Sequence, residues 1–375
     1  MRTIIRKIHL WLGLITGPIV LIVALTGCIY AFQEEIQNLT QPYRFVEKQD
    51  KAYLPPSELR DIAEKELPGK HLHAIMYIKE GYAAKAIFYS FNEYYFIVYI
   101  NPYSGEILKT HDVENSFFGF ILEGHFYLWL PKHIGQPVVA ISTLLFFILL
   151  ISGLLLWWPR NKYNLGQKFK IKFNGSWKRK NYDLHSVIGF YASFIALILI
   201  ITGLVWGFEW FRNSYYYTIS GGEKYIDYYE PDSDTTQNVQ SLNNEVNAID
   251  KVWAIMKKEY PQTDWIEIHL PETSESPIAA NTNEDQSTYW KIDYRYFDQY
   301  TLKELSVDHQ WGRLDESDFG QTLMRMNYDI HVGGIFGLWG KTLMFFVSLL
   351  IASLPVTGFL IWYGRKFKVK KQKLK

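Results

Sequence analysis

The chain has 375 residues, a formal net charge of +1, and 48% hydrophobic residues. The near-neutral balance excludes a protein that binds nucleic acid through a strongly basic surface. The single cysteine, Cys28, excludes an intrachain disulfide. The length predicts several structural units rather than one small domain.

Four apolar segments are long enough to cross a bilayer: residues 8–33, 134–158, 185–208 and 335–363. We predict that each is a transmembrane helix. A cleavable signal peptide in place of the first segment is the less favoured alternative, because the run is too long and lacks a cleavage site.

Charged residues divide between the connecting segments by sign. Lys and Arg concentrate in the first seven residues, in residues 160–180 and in residues 365–375, whereas Asp and Glu concentrate in 37–115 and 213–318. Basic segments of membrane proteins face the cytoplasm. We therefore predict cytoplasmic N- and C-termini and two long segments outside the cytoplasm.

The chain carries an internal duplication, with halves of about 1–165 and 176–375. The threonine of a Thr-Gly pair follows a histidine by 17 positions in both halves: His9 with Gly13 and Thr26-Gly27, and His185 with Gly189 and Thr202-Gly203. The second and fourth spans also match: Ser152-Gly153 before Trp157 and Arg160, and Thr357-Gly358 before Trp362 and Arg365. Duplicated membrane proteins commonly hold their binding site between the halves.

The two outside segments show the pattern of small α+β domains. In the first, a polar helix from Pro55-Pro56-Ser57 to about Glu66 precedes strand-like runs at 72–79, 83–91 and 94–100, a turn at 101–105 and another short strand. In the second, a helix near 244–259 precedes strands near 264–270 and 287–297 and a turn at 298–301. Residues 213–240 fit a flexible linker or a substrate loop.

The predicted architecture is mainly α: a four-transmembrane-helix bundle built from two duplicated halves, with two small α+β domains outside the cytoplasm. Its parts, in chain order, are span 1 (1–36), the first outside domain (37–115), an outer helix with span 2 (116–160), a basic cytoplasmic loop (161–180), span 3 (181–212), the second outside domain (213–315), an outer helix with span 4 (316–364), and a basic cytoplasmic tail (365–375).

The order of these motifs resembles the PepSY-associated transmembrane proteins, also called iron-regulated membrane proteins. The residues that carry the resemblance are His9-x3-Gly13, Thr26-Gly27, Asp183-Leu-His185-x3-Gly189, Ile151-Ser-Gly-Leu-Leu-Leu-Trp157 and His331-Val-Gly-Gly. Residues 101–106 resemble the strand and turn of a PepSY domain, and residues 297–301 resemble it more weakly. The family includes bacterial inner-membrane ferric-siderophore reductases with four spans and two b-type haems, so the resemblance implies that location and those cofactors.

Four of the ten histidines lie at the ends of spans in duplicated positions. His9 and His185 open the first and third spans, whereas His125 and His331 precede the second and fourth. Two pairs at two depths suit two bis-histidine haem b groups in one bundle. No CxxCH motif is present, so we expect both haems to be held without a covalent bond.

Small residues follow the first histidine pair on the same helix face, which predicts room for a flat porphyrin: Gly13, Gly17, Gly189 and Ser193. The alternative interpretation is that they only let the helices approach closely. For the second pair, His133 is a possible replacement for His125. Charged residues near the pairs are candidate partners of the haem propionates, with none singled out: Arg2, Arg6, Lys180, Arg325 and Lys341.

The other histidines lie among polar residues of the outside segments, and we expect no catalytic role for them: His71, His73, His111, His269 and His309. The resemblance implies electron transfer to a ferric siderophore, from a cytoplasmic reductase, a small reductant or quinol, with the lipid bilayer as surroundings. Two alternatives remain open: a non-redox protein that binds a partner such as a peptidase, and a haem conduit to a different acceptor.

Overall fold

The computed structural model describes residues 1–159, 162–236 and 247–367. Within these ranges the helices are α1 (Arg2–Tyr30), α2 (Gln33–Thr40), α3 (Pro56–Glu66), α4 (Phe117–Tyr127), α5 (Lys132–Trp157), α6 (Trp177–Gly207), α7 (Glu209–Ile219), α8 (Ala248–Glu259), α9 (Phe319–Arg325), α10 (Asn327–Val332) and α11 (Gly337–Lys366). The strands are β1 (Leu72–Ile78), β2 (Ala84–Ser90), β3 (Tyr94–Ile100), β4 (Ile107–Asp112), β5 (Trp265–His269), β6 (Ile278–Asn283), β7 (Asp293–Phe297) and β8 (Glu304–Leu305).

Some sequence predictions fall outside the described residues. They concern the start of the basic loop at 160–161, the end of the 213–240 segment, the first residues (244–246) of the helix predicted near 244–259, and the basic tail from residue 368 onward. The predictions for these residues stay predictions.

The prediction of four membrane-spanning helices is confirmed for the described part of the chain. The helices that are long and apolar enough to cross a membrane are Arg2–Tyr30, Lys132–Trp157, Trp177–Gly207 and Gly334–Lys366. They correspond to α1, α5, α6 and the last span, in which α11 follows a short 3₁₀ turn (Gly334–Phe336). The protein is therefore a multi-pass membrane protein.

The spans form one compact unit, the helical unit, which comprises residues 1–33, 120–215 and 328–375. Helix α1 packs against α5 and α11, and α6 packs against the same two helices. The result is a four-helix bundle in which each duplicated half supplies two spans. Its centre contains Ala192 and Ala196 of α6 against Val347 and Ile351 of α11, because small side chains let membrane helices pack closely.

The remaining residues, 34–119 and 216–327, form a second compact unit, the sheet unit. We predicted two separate small domains, but within the described residues their strands share one eight-stranded sheet in the order β4-β3-β2-β1-β5-β6-β7-β8. Strands β1 and β5 pair antiparallel and join the two segments. A separate domain would leave each of these strands with an unpaired edge, which the shared sheet removes.

Helices α3 and α8 cover one face of this sheet. Leu59 and Ala63 of α3 and Val252 and Met256 of α8 are buried against the apolar face. The alternation of strand residues explains the arrangement, since Ile75 and the other inward residues of β1 point to the helices while their neighbours point to the opposite face.

The first outside segment follows the predicted strands closely, and the second differs from the prediction at three places. Strand β6 was not predicted, because its sequence Ile-Ala-Ala-Asn-Thr-Asn contains few residues that favour strands. The run predicted at 287–297 is a strand only over Asp293–Phe297. Helix α7 extends to Ile219 and therefore occupies the start of the unassigned segment 213–240.

Candidate functional site

The structure brings the four predicted histidines together as two facing pairs within the helical unit. The ring centroids of His9 on α1 and His185 on α6 lie 6.3 Å apart, with the ring planes at 80°. The ring centroids of His125 on α4 and His331 on α10 also lie 6.3 Å apart, at 74°. Each pair takes one histidine from each duplicated half. We call them the first pair and the second pair.

His133, the possible replacement for His125 in the second pair, does not pair with His331. It lies in the first turn of α5 and is exposed. The residue that faces His331 is His125.

Each histidine of the first pair is held by a hydroxyl group on the second span of its own half. Nδ1 of His9 lies 2.9 Å from Oγ of Ser152 on α5. Nδ1 of His185 lies 2.9 Å from Oγ1 of Thr357 on α11. The two halves therefore build this contact in the same way and with the same length.

The second pair uses threonines from the first span of each half. Nδ1 of His331 lies 2.8 Å from Oγ1 of Thr202 on α6. Nδ1 of His125 lies 3.3 Å from Oγ1 of Thr26 on α1 and 2.9 Å from the carbonyl oxygen of Val23. The second pair is thus oriented by the same chemistry as the first.

The hydroxyl groups determine which ring nitrogen carries the proton. Each is also positioned to donate to a carbonyl of its own helix, as Ser152 does to Leu149 (2.9 Å) and Thr202 to Ile198 (2.7 Å); Thr26 and Thr357 behave likewise. A hydroxyl has a single proton, so its oxygen then accepts from the imidazole Nδ1–H. In neutral imidazole this leaves the lone pair on Nε2, which is the state that binds metal.

A glycine follows each hydroxyl residue, and at three of the four positions the missing side chain makes room for the imidazole. A Cβ atom added at Gly153 would lie 3.2 Å from Cε1 of His9, and one at Gly358 would lie 3.2 Å from Cε1 of His185. A Cβ atom added at Gly27 would lie 3.0 Å from Cε1 of His125, and one at Gly203 would lie 3.6 Å from Cε1 of His331. We call the four arrangements histidine sockets: Ser152-Gly153 for His9, Thr357-Gly358 for His185, Thr26-Gly27 for His125, and Thr202-Gly203 for His331.

The first pair lines a cavity of about 670 Å³, within the usual size range of cofactor sites. The four small residues predicted to leave room beside the pair, Gly13, Gly17, Gly189 and Ser193, all line this cavity. A Cβ at Gly13 or at Gly189 would meet one leucine atom at 3.8 Å, which is an ordinary contact. Close helix packing therefore does not require glycine at these two positions, and the space favours a bound flat group.

Gly17 has a different reason to be glycine. A Cβ added there would lie 3.2 Å from Cβ of Pro355 on α11. At this position the alternative interpretation applies, because the missing side chain lets α1 and α11 approach each other closely.

The cavity contains polar groups with capacity for a ligand. The indole Nε1 of Trp157 is buried and has no hydrogen-bond partner among the described residues, and Trp157 is one of the residues that line the cavity. A buried donor of this kind is costly unless another group accepts its proton. Five cationic side chains also line the cavity: Arg2, Arg6, Lys7, Arg365 and Lys366.

The proposed propionate partners differ in their surroundings. Arg2 and Arg6 line the cavity, and Lys180 is not one of the residues that do. Arg2 donates to the carbonyl oxygens of Leu156 (2.5 Å) and Trp158 (3.2 Å). Both Nη atoms of Arg325 donate to backbone carbonyls of the sheet unit, so this guanidinium already has partners, and Lys341 is buried in α11.

These residues fit a bis-histidine haem. A metal ion held between the two imidazoles of a pair would need about 4 Å for its two metal–nitrogen bonds of about 2 Å each. The distance from each ring centroid to its own nitrogen accounts for the rest of the 6.3 Å between the two centroids. Neutral imidazoles with a free Nε2 lone pair would supply donors that haem iron takes from a protein.

A comparison with known families identifies the family of the chain. The family described as the PepSY-associated TM region matches residues 6–365. The chain belongs to this family. Among curated proteins, no relative matches this PepSY-associated TM protein.

The partners of the histidines in this PepSY-associated TM protein were not predicted from the sequence. The Ser/Thr-Gly dipeptides were visible as repeated motifs, but their contacts with His9, His125, His185 and His331 were not predicted. A usable signal existed: four histidines at span ends accompany four Ser/Thr-Gly pairs within the same spans.

Proposed function

We propose that this protein is a di-haem transmembrane electron-transfer protein that reduces ferric iron in siderophore complexes outside the cytoplasm. The observation that carries the proposal is the form of the two histidine pairs. All four imidazoles are contacted through Nδ1, which leaves the Nε2 lone pair of each ring as the donor for a metal, and the two rings of each pair lie 6.3 Å apart between centroids. The choice of a ferric siderophore as acceptor rests on the resemblance to the reductases of the family.

The chain's own residues define what each centre can do. The histidine sockets fix the proton on Nδ1 and so keep Nε2 available as a donor atom. The cations at the first cavity complement carboxylate groups. Haem bound at these positions would supply one-electron redox chemistry.

The spacing of the pairs supports transfer across the membrane. His9 and the socket residue Thr26 lie on α1, separated by 17 positions, which corresponds to about 25 Å along the helix axis. This is most of the hydrocarbon thickness of a bilayer, about 30 Å. We infer that one pair serves the cytoplasmic side, where a reductase, a small reductant or quinol donates, and the other serves the outer side.

Reduction of the substrate needs proximity and a suitable potential, with no general acid or nucleophile. Ferrous iron is a softer cation than ferric iron, so it is held more weakly by the hard oxygen ligands of a siderophore. Release of the metal follows from this difference.

The absorbance spectrum of the purified full-length protein, before and after dithionite, tests the cofactor part of the proposal. We expect a Soret band, a sharp α band on reduction, and about two haems per chain, one of which is lost in His9→Ala and in His185→Ala. A protein without these bands would contradict both redox functions and favour a non-redox PepSY protein.

Reoxidation tests the acceptor. The dithionite-free reduced protein is mixed with a ferric siderophore, and the gallium complex of the same siderophore serves as a redox-inert control. We expect loss of the α band with iron only. A reduced protein that the ferric complex leaves unchanged would refute this acceptor, whereas the haem assignment would stand.

A further inference from the structure

Three side chains of the sheet unit converge on one point outside the helix-covered core. Nε2 of His71 lies 3.1 Å from Oε1 of Glu272, and Nδ1 of His73 lies 3.9 Å from the same oxygen. One ligand atom of each residue lies within 4.8 Å of the others. Atoms that share a first-row metal ion at bonds of about 2.1 Å are about 3 to 3.5 Å apart, so small side-chain rotations close the remaining gap.

An irregularity in the sheet lies at one of these ligand candidates. Leu72 pairs with Phe88 and Ala74 pairs with the adjacent Ile87, which makes His73 the extra residue of a β-bulge. Bulges re-aim a side chain and are frequent beside functional sites. The carbonyl of His73 also accepts a hydrogen bond from Leu270 (3.0 Å), two residues before Glu272. The bulge and this contact hold His73 beside the segment that carries Glu272.

His73 is supported from behind by further side chains. Its Nε2 lies 3.1 Å from Nδ1 of His269 on β5. Nε2 of His269 in turn lies 2.9 Å from Nδ2 of Asn281 and 3.4 Å from a carboxylate oxygen of Glu267. Metal-binding histidines typically have such a partner on the ring nitrogen that does not bind the metal. A simple ion pair between His71 and Glu272 would not need this support for a second histidine.

We propose that His71, His73 and Glu272 bind one divalent first-row transition-metal ion. Two imidazoles and one carboxylate are the donors of zinc sites with an open position and of non-haem ferrous sites. Calcium and magnesium prefer oxygen ligands alone. The side chains of His71 and Glu272 are 42% and 58% exposed, so a hydrated ion reaches them without any opening of the sheet.

The proposal can be tested with Zn²⁺, a redox-inert probe, on the haem-loaded full-length protein purified without a polyhistidine tag. Calorimetric titration is expected to give about one Zn²⁺ per chain, without displacement by a large excess of Mg²⁺. We expect His71→Ala and Glu272→Gln each to weaken binding at least tenfold, and His269→Gln to weaken it about 10- to 100-fold. His111→Ala is the matched control, because this histidine lies on β4, three strands from β1, and we expect unchanged affinity.

The site shares no residue with the first or the second histidine pair, and the experiment separates the two proposals. A His9→Ala, His185→Ala double variant is expected to lose the haem of the first pair and to keep the Zn²⁺ affinity. The site is refuted by absence of saturable Zn²⁺ binding, by unchanged affinity in both His71→Ala and Glu272→Gln, or by an equal loss in His111→Ala. Circular dichroism of each variant establishes that the compared proteins are folded.

Discussion

Alanine at Gly27 tests whether the histidine sockets are shaped around the imidazole. The added Cβ would lie 3.0 Å from Cε1 of His125, whereas the Cβ of alanine at the duplicated Gly203 would lie 3.6 Å from Cε1 of His331. Carbon atoms in contact rest about 3.5 to 4.0 Å apart. Gly27→Ala therefore displaces His125 by about half an ångström, and Gly203→Ala leaves His331 where it is.

The expected loss of haem affinity in Gly27→Ala follows from the short distance between the rings of His125 and His331. Of the 6.3 Å between the ring centroids, two metal–nitrogen bonds would take about 4 Å, so a displaced ring strains the bond. Overpacking of this kind costs about 1 to 3 kcal/mol. At about 1.4 kcal/mol for each factor of ten, we expect haem affinity to fall about 5- to 150-fold in Gly27→Ala and to change less than about twofold in Gly203→Ala.

The measurement is a haem titration followed by Soret absorbance, in a His9→Ala, His185→Ala background that retains only the second pair. Alanine favours helix formation over glycine, so neither substitution weakens its helix and each variant controls for the other. Equal affinities in the two variants would refute the reasoning, and so would tighter binding in Gly27→Ala.

Three other outcomes are expected. Ser152→Ala removes the acceptor of the His9 Nδ1 proton, and we expect a 10- to 100-fold loss of haem affinity at the first pair only, measured by haem titration with the second pair as internal reference. His133 is exposed, so we expect His133→Ala to keep the haem-to-protein ratio of the wild type, whereas His125→Ala halves this ratio. An equal loss of haem in both variants would indicate that His133 is a ligand. Burial raises the pKa of Glu304, but its hydrogen bond and the charges of Arg295 and Arg313 outweigh burial and lower it overall. Stability from this carboxylate is therefore present above its unfolded pKa of about 4.3 and is lost on acidification through the lowered value. We expect Glu304→Gln to lower the Tm of the full chain at neutral pH and the difference to shrink towards pH 3; a difference independent of pH would contradict the assignment.

The membrane spans and the first four strands could be predicted because their signals are local. Long apolar runs identify α1, α5, α6 and α11 by length alone. Strands β1 to β4 alternate or continue in residues that favour strands, and they end at turns such as the one at Gly105, whose φ of +75° favours glycine. For these elements the sequence contains the reason for the structure within ten or twenty residues.

The shared sheet could not be predicted in this way. The pairing of Ile75 with Ile268 joins residues almost 200 positions apart, and no local pattern encodes such a partner. Strand β6 is stabilised by hydrogen bonds from β5 and β7 on both edges, which outweigh the weak strand preference of its alanines and asparagines. The same limit applies to His73, whose polar neighbours suggested a residue without a role.

The histidines of the site could be predicted from the sequence, but their hydroxyl partners could not. The histidines could be grouped because each has a duplicated counterpart, and the structure places the counterparts face to face. Their hydroxyl partners lie on other helices, as Ser152 lies 143 positions after His9. Recognition of that contact needs the packing of α1 against α5, which spacing along one helix does not contain.

The residues that each half contributes to the two histidine pairs explain why the duplication suits a cofactor site. Each half builds both of its sockets from its own residues, so a half orients its histidines without the other. A half alone still offers one donor to each centre, because every facing pair takes one histidine from each half. A group that binds both donors therefore joins the halves, and its binding free energy stabilises the assembled bundle. It follows that the two histidines of a pair act as one unit, so that loss of either one removes most of the binding and loss of the second adds little.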